Sequence, residues 1–281
     1  MKNFLLICSR KCAPLFVGTG ISNSKFVYGL LKIIKRMIKP KIIEIENCKI
    51  LLDKNDTYGF TFSSNFDTKE IEIIKKIIKK GDVVVDVGAN IGIYTCILAK
   101  LVCPNGHVYS FEPIPENAHL IRESVKLNNF KNVTVIPKGV SAKSSKLTMY
   151  LAKDVAGHSF AEFEGCVGKK IIDVTTIDDE IQEEIKFIKI DAEGYDFQVL
   201  KGMEKTIKNS HDLNILIEFY PSQLRSAGDS PKTFLEYLLQ NNFKCIDLTT
   251  NEYLNYQNID KIIQKYNHRP NHLTNFLCSK Q

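Results

Sequence analysis

The sequence predicts a doubly wound α/β fold, with a mostly parallel sheet covered by helices on both faces. Three observations carry this. Residues 83–87 are an unbroken apolar run apart from Asp86, rich in valine, as in a strand buried on both faces. Further short apolar runs then alternate with segments of helical period almost to the end of the chain. The first run also enters its helix through Gly88-Ala89-Asn90-Ile91-Gly92, a glycine turn of the kind that lets a backbone approach a ligand. At 281 residues, 44% hydrophobic and 25% charged, the chain can bury a substantial core. Its length suits one large domain with a smaller appendage.

Taken in order, residues 1–24 lack periodicity and read as a loose arm. Residues 26–38 are helical in pattern, with Phe26, Leu30, Ile33, Ile34, Met37 and Ile38 on one broad face and Pro40 as the stop. Lys32, Lys35, Arg36 and Lys39 occupy the rest. The ordinary reading is a helix packed on the domain or in a dimer contact. The alternative is a basic amphipathic helix giving residues 25–41 a peripheral membrane contact. Residues 42–46 and 49–53 form a hairpin around Asn47-Cys48. Together these make an N-terminal extension, 1–65, ahead of a domain at 66–281. Residues 67–80 are helical and end on Lys-Lys-Gly, a good C-terminal signal. Strands follow at 83–87, 107–111, 133–137, 187–190, 213–219, 243–248 and 273–279. Helices fall at 93–101, 116–128, 195–208 and 231–241. Residues 141–180 break this rhythm with β-like runs at 146–151 and 171–175, which predicts a small β insertion over the sheet edge.

The formal charge of +6 is mild, and part of it sits between Lys25 and Lys41, so composition does not point to nucleic acid. Eight cysteines form no Cys-x-x-Cys pair and no zinc-like spacing with histidine, and no metal is expected. Cys8 and Cys12 are spaced like the start of an iron–sulfur motif, but Leu15 stands where a third cysteine is needed. Scattered cysteines suit a reducing, cytoplasmic compartment. The apolar run 4–8 is too short for a secretory segment, and no stretch approaches membrane-spanning length.

Chemistry concentrates at the strand ends. The glycine turn opens a helix whose N-terminus offers N–H groups to an anion. Glu112 ends the next strand about 20 residues later, where a carboxylate can accept both hydroxyls of a ribose. A dinucleotide fingerprint needs glycine where Asn90 stands, and a side chain there blocks the approach of a pyrophosphate. S-adenosylmethionine has no pyrophosphate and tolerates the bulkier turn. NAD is therefore excluded.

The turn, Phe111-Glu112-Pro113-Ile114-Pro115-Glu116-Asn117, Phe187-Ile188-Lys189-Ile190-Asp191-Ala192-Glu193-Gly194-Tyr195, Val199-Leu200-Lys201-Gly202-Met203 and Ile217-Glu218-Phe219 together resemble the FkbM family of methyltransferases. The resemblance covers about residues 68–248. It implies a seven-stranded class I methyltransferase (Rossmann-like) sheet with a reversed final strand, and S-adenosyl-L-methionine as cofactor. It also implies hydroxyl acceptors on sugars, polyketides or other small molecules. By motif, Asp86, Gly88, Ala89, Asn90 and Gly92 would surround the methionine part, and Glu112 the ribose with Pro113 shaping the turn. Ser141, in Gly139-Val140-Ser141, would lie at the adenine edge. Ala142 departs from the acidic residue often found after that serine.

Methyl transfer chiefly requires alignment and exclusion of water, and a hydroxyl acceptor gains from a base. Candidates are Asp191 and Glu193 after the fourth parallel strand, Glu218 at the end of the next, and His158 in the insertion. Asp191 is also a cofactor contact. Each has an ordinary reading: Asp191 as a turn cap, Glu193 as a helix cap, Glu218 as a buried acid needing a partner, His158 as a solvated loop residue. The expected function is O-methylation of a small-molecule, sugar or glycan- or lipid-linked hydroxyl. An RNA methyltransferase is the enzymatic alternative, but Glu218-Phe219-Tyr220-Pro221 poorly matches a base-gripping turn and no basic stripe runs through the core. A non-catalytic cofactor-binding scaffold subunit is the other alternative, opposed by the intact turn and acids.

Overall fold

The computed structural model describes residues 37–61, 66, 68–152, 158–160, 162–163, 165–267 and 272–280. The helix expected over 26–38 lies outside them except for its last two residues, Met37 and Ile38, which are helical. No described helix is long and apolar enough to cross a membrane.

The first elements are a hairpin, β1 (Ile42–Ile45) and β2 (Cys48–Leu51), whose turn residues Glu46 and Asn47 both take the left-handed conformation. Helix α1 (Thr68–Ile77) follows. The alternating part then runs β3 (Val83–Val87), α2 (Ile93–Val102), β4 (His107–Phe111), α3 (Pro115–Leu127) and β5 (Val133–Ile136). Strands β6 (Gly139–Val140), β7 (Ser145–Leu151) and β8 (Gly168–Thr175) form a separate three-stranded sheet. After the short α4 (Ile177–Glu180) come β9 (Phe187–Ile190), α5 (Asp196–Lys201), α6 (Glu204–Asn209) and β10 (Asn214–Phe219). The chain closes with α7 (Pro221–Ser226), α8 (Pro231–Gln240), β11 (Phe243–Asp247), α9 (Ile259–Asn267) and β12 (Thr274–Lys280).

Seven strands form the main sheet in the order β11-β12-β10-β9-β3-β4-β5. Pairings from β10 through β5 are parallel, whereas β12 inserts antiparallel between β10 and β11. The expected reversed final strand is therefore present. Strand β3 starts the sheet; β4 and β5 grow to one side and β9 and β10 to the other. The switch point lies between β3 and β9, where a crevice opens at the carboxyl ends. All four residues of β9 are buried, as its helix-covered position requires.

Two features refine the sequence reading. The helix expected over 195–208 breaks into α5 and α6 at Gly202-Met203, and the Ser141 carbonyl approaches Gly202 so closely that a Cβ there would lie 2.1 Å from it. The insertion leaves the edge strand β5 and reaches inward beyond that edge. Met149, Ile172 and Val174 pack on Ile114 beyond β4, and the Ser159 hydroxyl donates to the Glu193 carbonyl beyond β9 at 3.0 Å. It thus roofs the strand ends. The hairpin is equally integrated: Ile43, Cys48, Ile50 and Phe60 share one apolar cluster with Ile91, Ile93 and Ile97.

Candidate active site

The site is built on the β3 turn. Gly88 has φ +76°, and a Cβ there would lie 1.9 Å from the Asp191 carbonyl oxygen, so β3 and β9 meet there only because the residue is glycine. The Gly88 and Ala89 N–H groups both donate to the Phe111 carbonyl, which locks the turn to β4. Asn90 adopts φ 51°, a conformation asparagine tolerates better than most residues.

Glu112 lies just beyond β4 and is only 5% exposed. Its Oε2 accepts from the Asn90 N–H at 2.8 Å and its Oε1 from the Ile114 N–H at 2.8 Å, with the Asn117 amide at 3.5 Å. Burial pushes its carboxyl up to about 7, against the lowering effect of those donors. Asp86 is 1% exposed; its Oδ2 accepts from Thr95, which also bonds Ser110. Burial raises this carboxyl too.

From the other side of the switch point, Asp191 pairs through Oδ2 with the Lys189 ammonium at 2.9 Å. Glu193 takes φ 49°, an unfavourable conformation for a non-glycine residue, and accepts from the Gln223 amide at 3.1 Å. Glu218 has neither hydrogen bond nor ion pair among the described residues; burial and the charges of Asp191, Asp196 and Glu193 hold its carboxyl well above the ordinary range. Asp196 accepts from the Ala192 and Gly194 N–H groups and shapes the turn that presents the other acids. His158 reaches the site from the insertion. Its Nδ1 accepts the Ala152 N–H at 2.9 Å, so the neutral ring carries its proton on Nε2, and burial keeps the ring neutral by lowering its pKa. As positioned, His158 offers a donor rather than a base.

These residues line two adjoining cavities. One, about 240 Å³, is bounded by Glu112, Pro113, Asn117, His158, Glu193 and Glu218; the other, about 210 Å³, by Glu70, Asp86, Ala89, Tyr94, Lys189 and Asn275. Tyr58, Gly88, Asn90 and Asp191 line both, so the two meet at the switch point. Together they reach the roughly 300–1,000 Å³ of small-molecule sites. A larger cleft of about 620 Å³ lies at the opposite ends of the strands, beside Glu184, Ser210 and His211. Asp178 caps α6 and Asp179 accepts from the Ser144 hydroxyl, so these carboxylates are committed elsewhere, and that strand end is not where such sheets bind ligands.

Ten of the twelve sequence candidates converge on this space. Gly92 and Ser141 line neither cavity. Gly92 faces Ile121, where a Cβ would lie 3.0 Å away, so its smallness serves contact between α2 and α3. Ser141 is buried, its N–H donating to the Thr175 carbonyl and its own carbonyl facing Gly202. Sequence reasoning missed Tyr58, Asn117, Lys189, Glu70 and Asn275. A lysine inside the apolar strand Phe-Ile-Lys-Ile was a usable signal for Lys189; Tyr58 carried none.

A glycine turn at the switch point, a ribose-competent carboxylate one strand over and a reversed final strand define the class I methyltransferase architecture. Residues 86–245, more than half of the chain, match the Methyltransferase FkbM domain. The chain is 44% identical over 59 residues to a protein-L-isoaspartate O-methyltransferase of Ignicoccus hospitalis, a match covering 21% of this chain and 28% of that one. It is 27% identical over 176 residues to the hexuronic acid methyltransferase AglP of Haloferax volcanii, covering 60% and 66%. The match thus spans about a quarter of the length of the first relative and just under two thirds of the second. Among solved structures it is similar to a methyltransferase FkbM from Methylobacillus flagellatus KT, with TM-score 0.46 and 18% identity over 79% of this chain and 52% of that one. The chain belongs to the FkbM family of methyltransferases, whose methyl donor is S-adenosylmethionine.

The residues present fit that donor. Two buried acceptor atoms at the cavities, Asp86 Oδ1 and Asn117 Oδ1, have no hydrogen-bond partner among the described residues, as expected where a ligand supplies the donors. Glu112 would hold the ribose and the Gly88–Asn90 turn the methionine part. No group of three or more His, Cys, Asp or Glu with metal-binding geometry occurs among the described residues.

Proposed function

We propose that the protein O-methylates a hydroxyl of a sugar, free or glycan-linked. The observation that carries this is the convergence of Asp191, Glu193 and Glu218, with the Nε2–H of His158, on the cavity that also contains Glu112. When bound, S-adenosylmethionine supplies an electrophilic methyl group on a sulfonium sulfur. The chain aligns the acceptor oxygen with it and takes up the proton that oxygen releases. Glu218 suits the second task in its ionised form, since the carboxylate of a raised acid accepts the hydroxyl proton more readily than that of an ordinary one. Asp191, held by Lys189, orients the acceptor and balances positive charge. His158 donates to an acceptor oxygen.

The resemblance to a hexuronic acid methyltransferase supports a sugar acceptor. Four carboxylates and no cation line the larger cavity among the described residues, which favours an uncharged sugar over a phosphate-rich strand. The test is a screen of neutral and acidic glycosides with isotopically labelled methyl donor, run beside Glu218→Gln. Methylation of a sugar hydroxyl, slowed about 10²-fold or more in the variant with donor affinity intact, is expected. Transfer to RNA or protein with no sugar product would replace this reading.

A further inference from the structure

We infer that Lys189 fixes the amino-acid end of the cofactor by pairing with its carboxylate, while Asp86 accepts from its ammonium group. The inference rests on the S-adenosylmethionine reading of the site, which already sets Asp86 at the methionine part, and extends it to Lys189, to which that reading gives no contact with the cofactor.

Lys189 sits in the middle of β9 between Ile188 and Ile190 and is only 5% exposed. Register places it directly beside Asp86 on β3 and Leu216 on β10. Its ammonium runs toward the carboxyl end of the strand, 2.9 Å from Asp191 Oδ2 and 4.7 Å from the centroid of the Tyr94 ring. There it lines the smaller cavity. It answers Asp191 and lies beside the buried Asp86, and it does so at a cavity wall rather than within the packed core. A cation kept beside a cavity points to a ligand.

The other walls narrow the ligand. Glu70 is satisfied, accepting from the Tyr94 hydroxyl at 2.6 Å and from the Asn275 amide. Asp86 is not: Oδ2 holds Thr95, but Oδ1 is buried with no partner among the described residues. Lys189 is the only cation among the described residues lining either cavity. An ammonium group has three N–H bonds, and the Asp191 contact uses one. One wall thus presents spare cationic donors and a neighbouring strand presents an unsatisfied anionic oxygen, which together complement a zwitterionic amino acid. Glu112, in the adjoining cavity, complements the opposite end of the same molecule.

The test uses the full chain and calorimetric titration with three ligands: S-adenosylhomocysteine, its decarboxylated analogue, and 5′-methylthioadenosine, which lacks the amino-acid part. Wild-type protein is expected to bind S-adenosylhomocysteine at least about tenfold more tightly than the decarboxylated analogue. Lys189→Met is expected to weaken S-adenosylhomocysteine by about 10- to 100-fold and to leave 5′-methylthioadenosine unchanged, closing the gap. Equal affinity of the wild type for the first two ligands would overturn the inference, and needs no variant to fold. So would a gap that persists in Lys189→Met. Failure of the wild type to bind any of the three would overturn the cofactor reading and the inference with it.

Discussion

Glu112 concentrates the residue-scale chemistry. Burial outweighs its three donors and pushes its carboxyl up to about 7. Ribose hydroxyls donate to the ionised form, so affinity for S-adenosylhomocysteine is expected to fall as pH drops from 8 to 6, by up to about tenfold per unit below 7. Titrations at three pH values check this, and Glu112→Ala should bind at least about 100-fold more weakly, from loss of two charge-assisted hydrogen bonds. Linkage to folding has the opposite sign. With the folded value above the ordinary glutamate value of 4.5, the stability that Glu112 contributes is full below about 4.5 and is lost as pH rises through 7. Ionisation that favours the cofactor therefore disfavours the empty fold. Gly88→Ala tests the other pillar of the turn. A Cβ 1.9 Å from the Asp191 carbonyl, at φ +76°, should cost about 2–4 kcal/mol and abolish cofactor binding, read as a lower Tm and a flat titration. Asp86, Gly88 and Glu112 were legible in the sequence because motif spacing alone places them at adjacent strand ends. Lys189 was marked only by its place inside an apolar strand and Tyr58 by nothing, since a cavity wall depends on which strands and loops become neighbours.

Among the elements, the insertion and the hairpin matter most. The insertion is tied down at the Ser159–Glu193 bond and by Phe160 against Tyr195, with ring centroids 4.8 Å apart. Phe160→Ala should loosen this roof, raising the KM for the acceptor several-fold while S-adenosylhomocysteine affinity stays within about twofold; steady-state kinetics beside calorimetry would separate the two. The hairpin is held by Asn128, whose side chain accepts from the Lys49 N–H and donates to the Lys49 and Ser124 carbonyls. Asn128→Ala leaves those backbone groups unsatisfied and should cost about 1–3 kcal/mol in urea denaturation. The β-like runs of the insertion were readable from alternation, but its reach beyond the sheet edge was not. Met149 and Ile172 offer the same apolar side chains to a sheet edge as to Ile114, and only the closed structure chooses.

On the scale of the whole molecule, the hairpin and the loop after it pack on the methyltransferase fold, sharing an apolar cluster with α2. Phe60 is buried in the cluster that supports α2, and Tyr58 lines both cavities. A chain starting at residue 66 should therefore lose cofactor binding and cooperative unfolding together, as followed by circular dichroism, whereas a chain starting at residue 37 should retain both. Retention by the shorter chain would support the boundary between an extension at 1–65 and a domain at 66–281.

What the sequence by itself determined is the class of fold and the cofactor end of the site. Strand–helix periodicity, the glycine turn and Glu112 are local in the chain, and local geometry transmits them directly into structure. What only the tertiary structure decided is how the later acids, His158 and Lys189 gather at the strand ends. It set Glu218 beside Asp191 and Glu193, fixed His158 as a donor through the Ala152 N–H, and turned Lys189 toward Asp191. The physical reason is that burial, desolvation and hydrogen-bond direction are properties of neighbours distant in the chain, and those neighbours exist only once the sheet has closed.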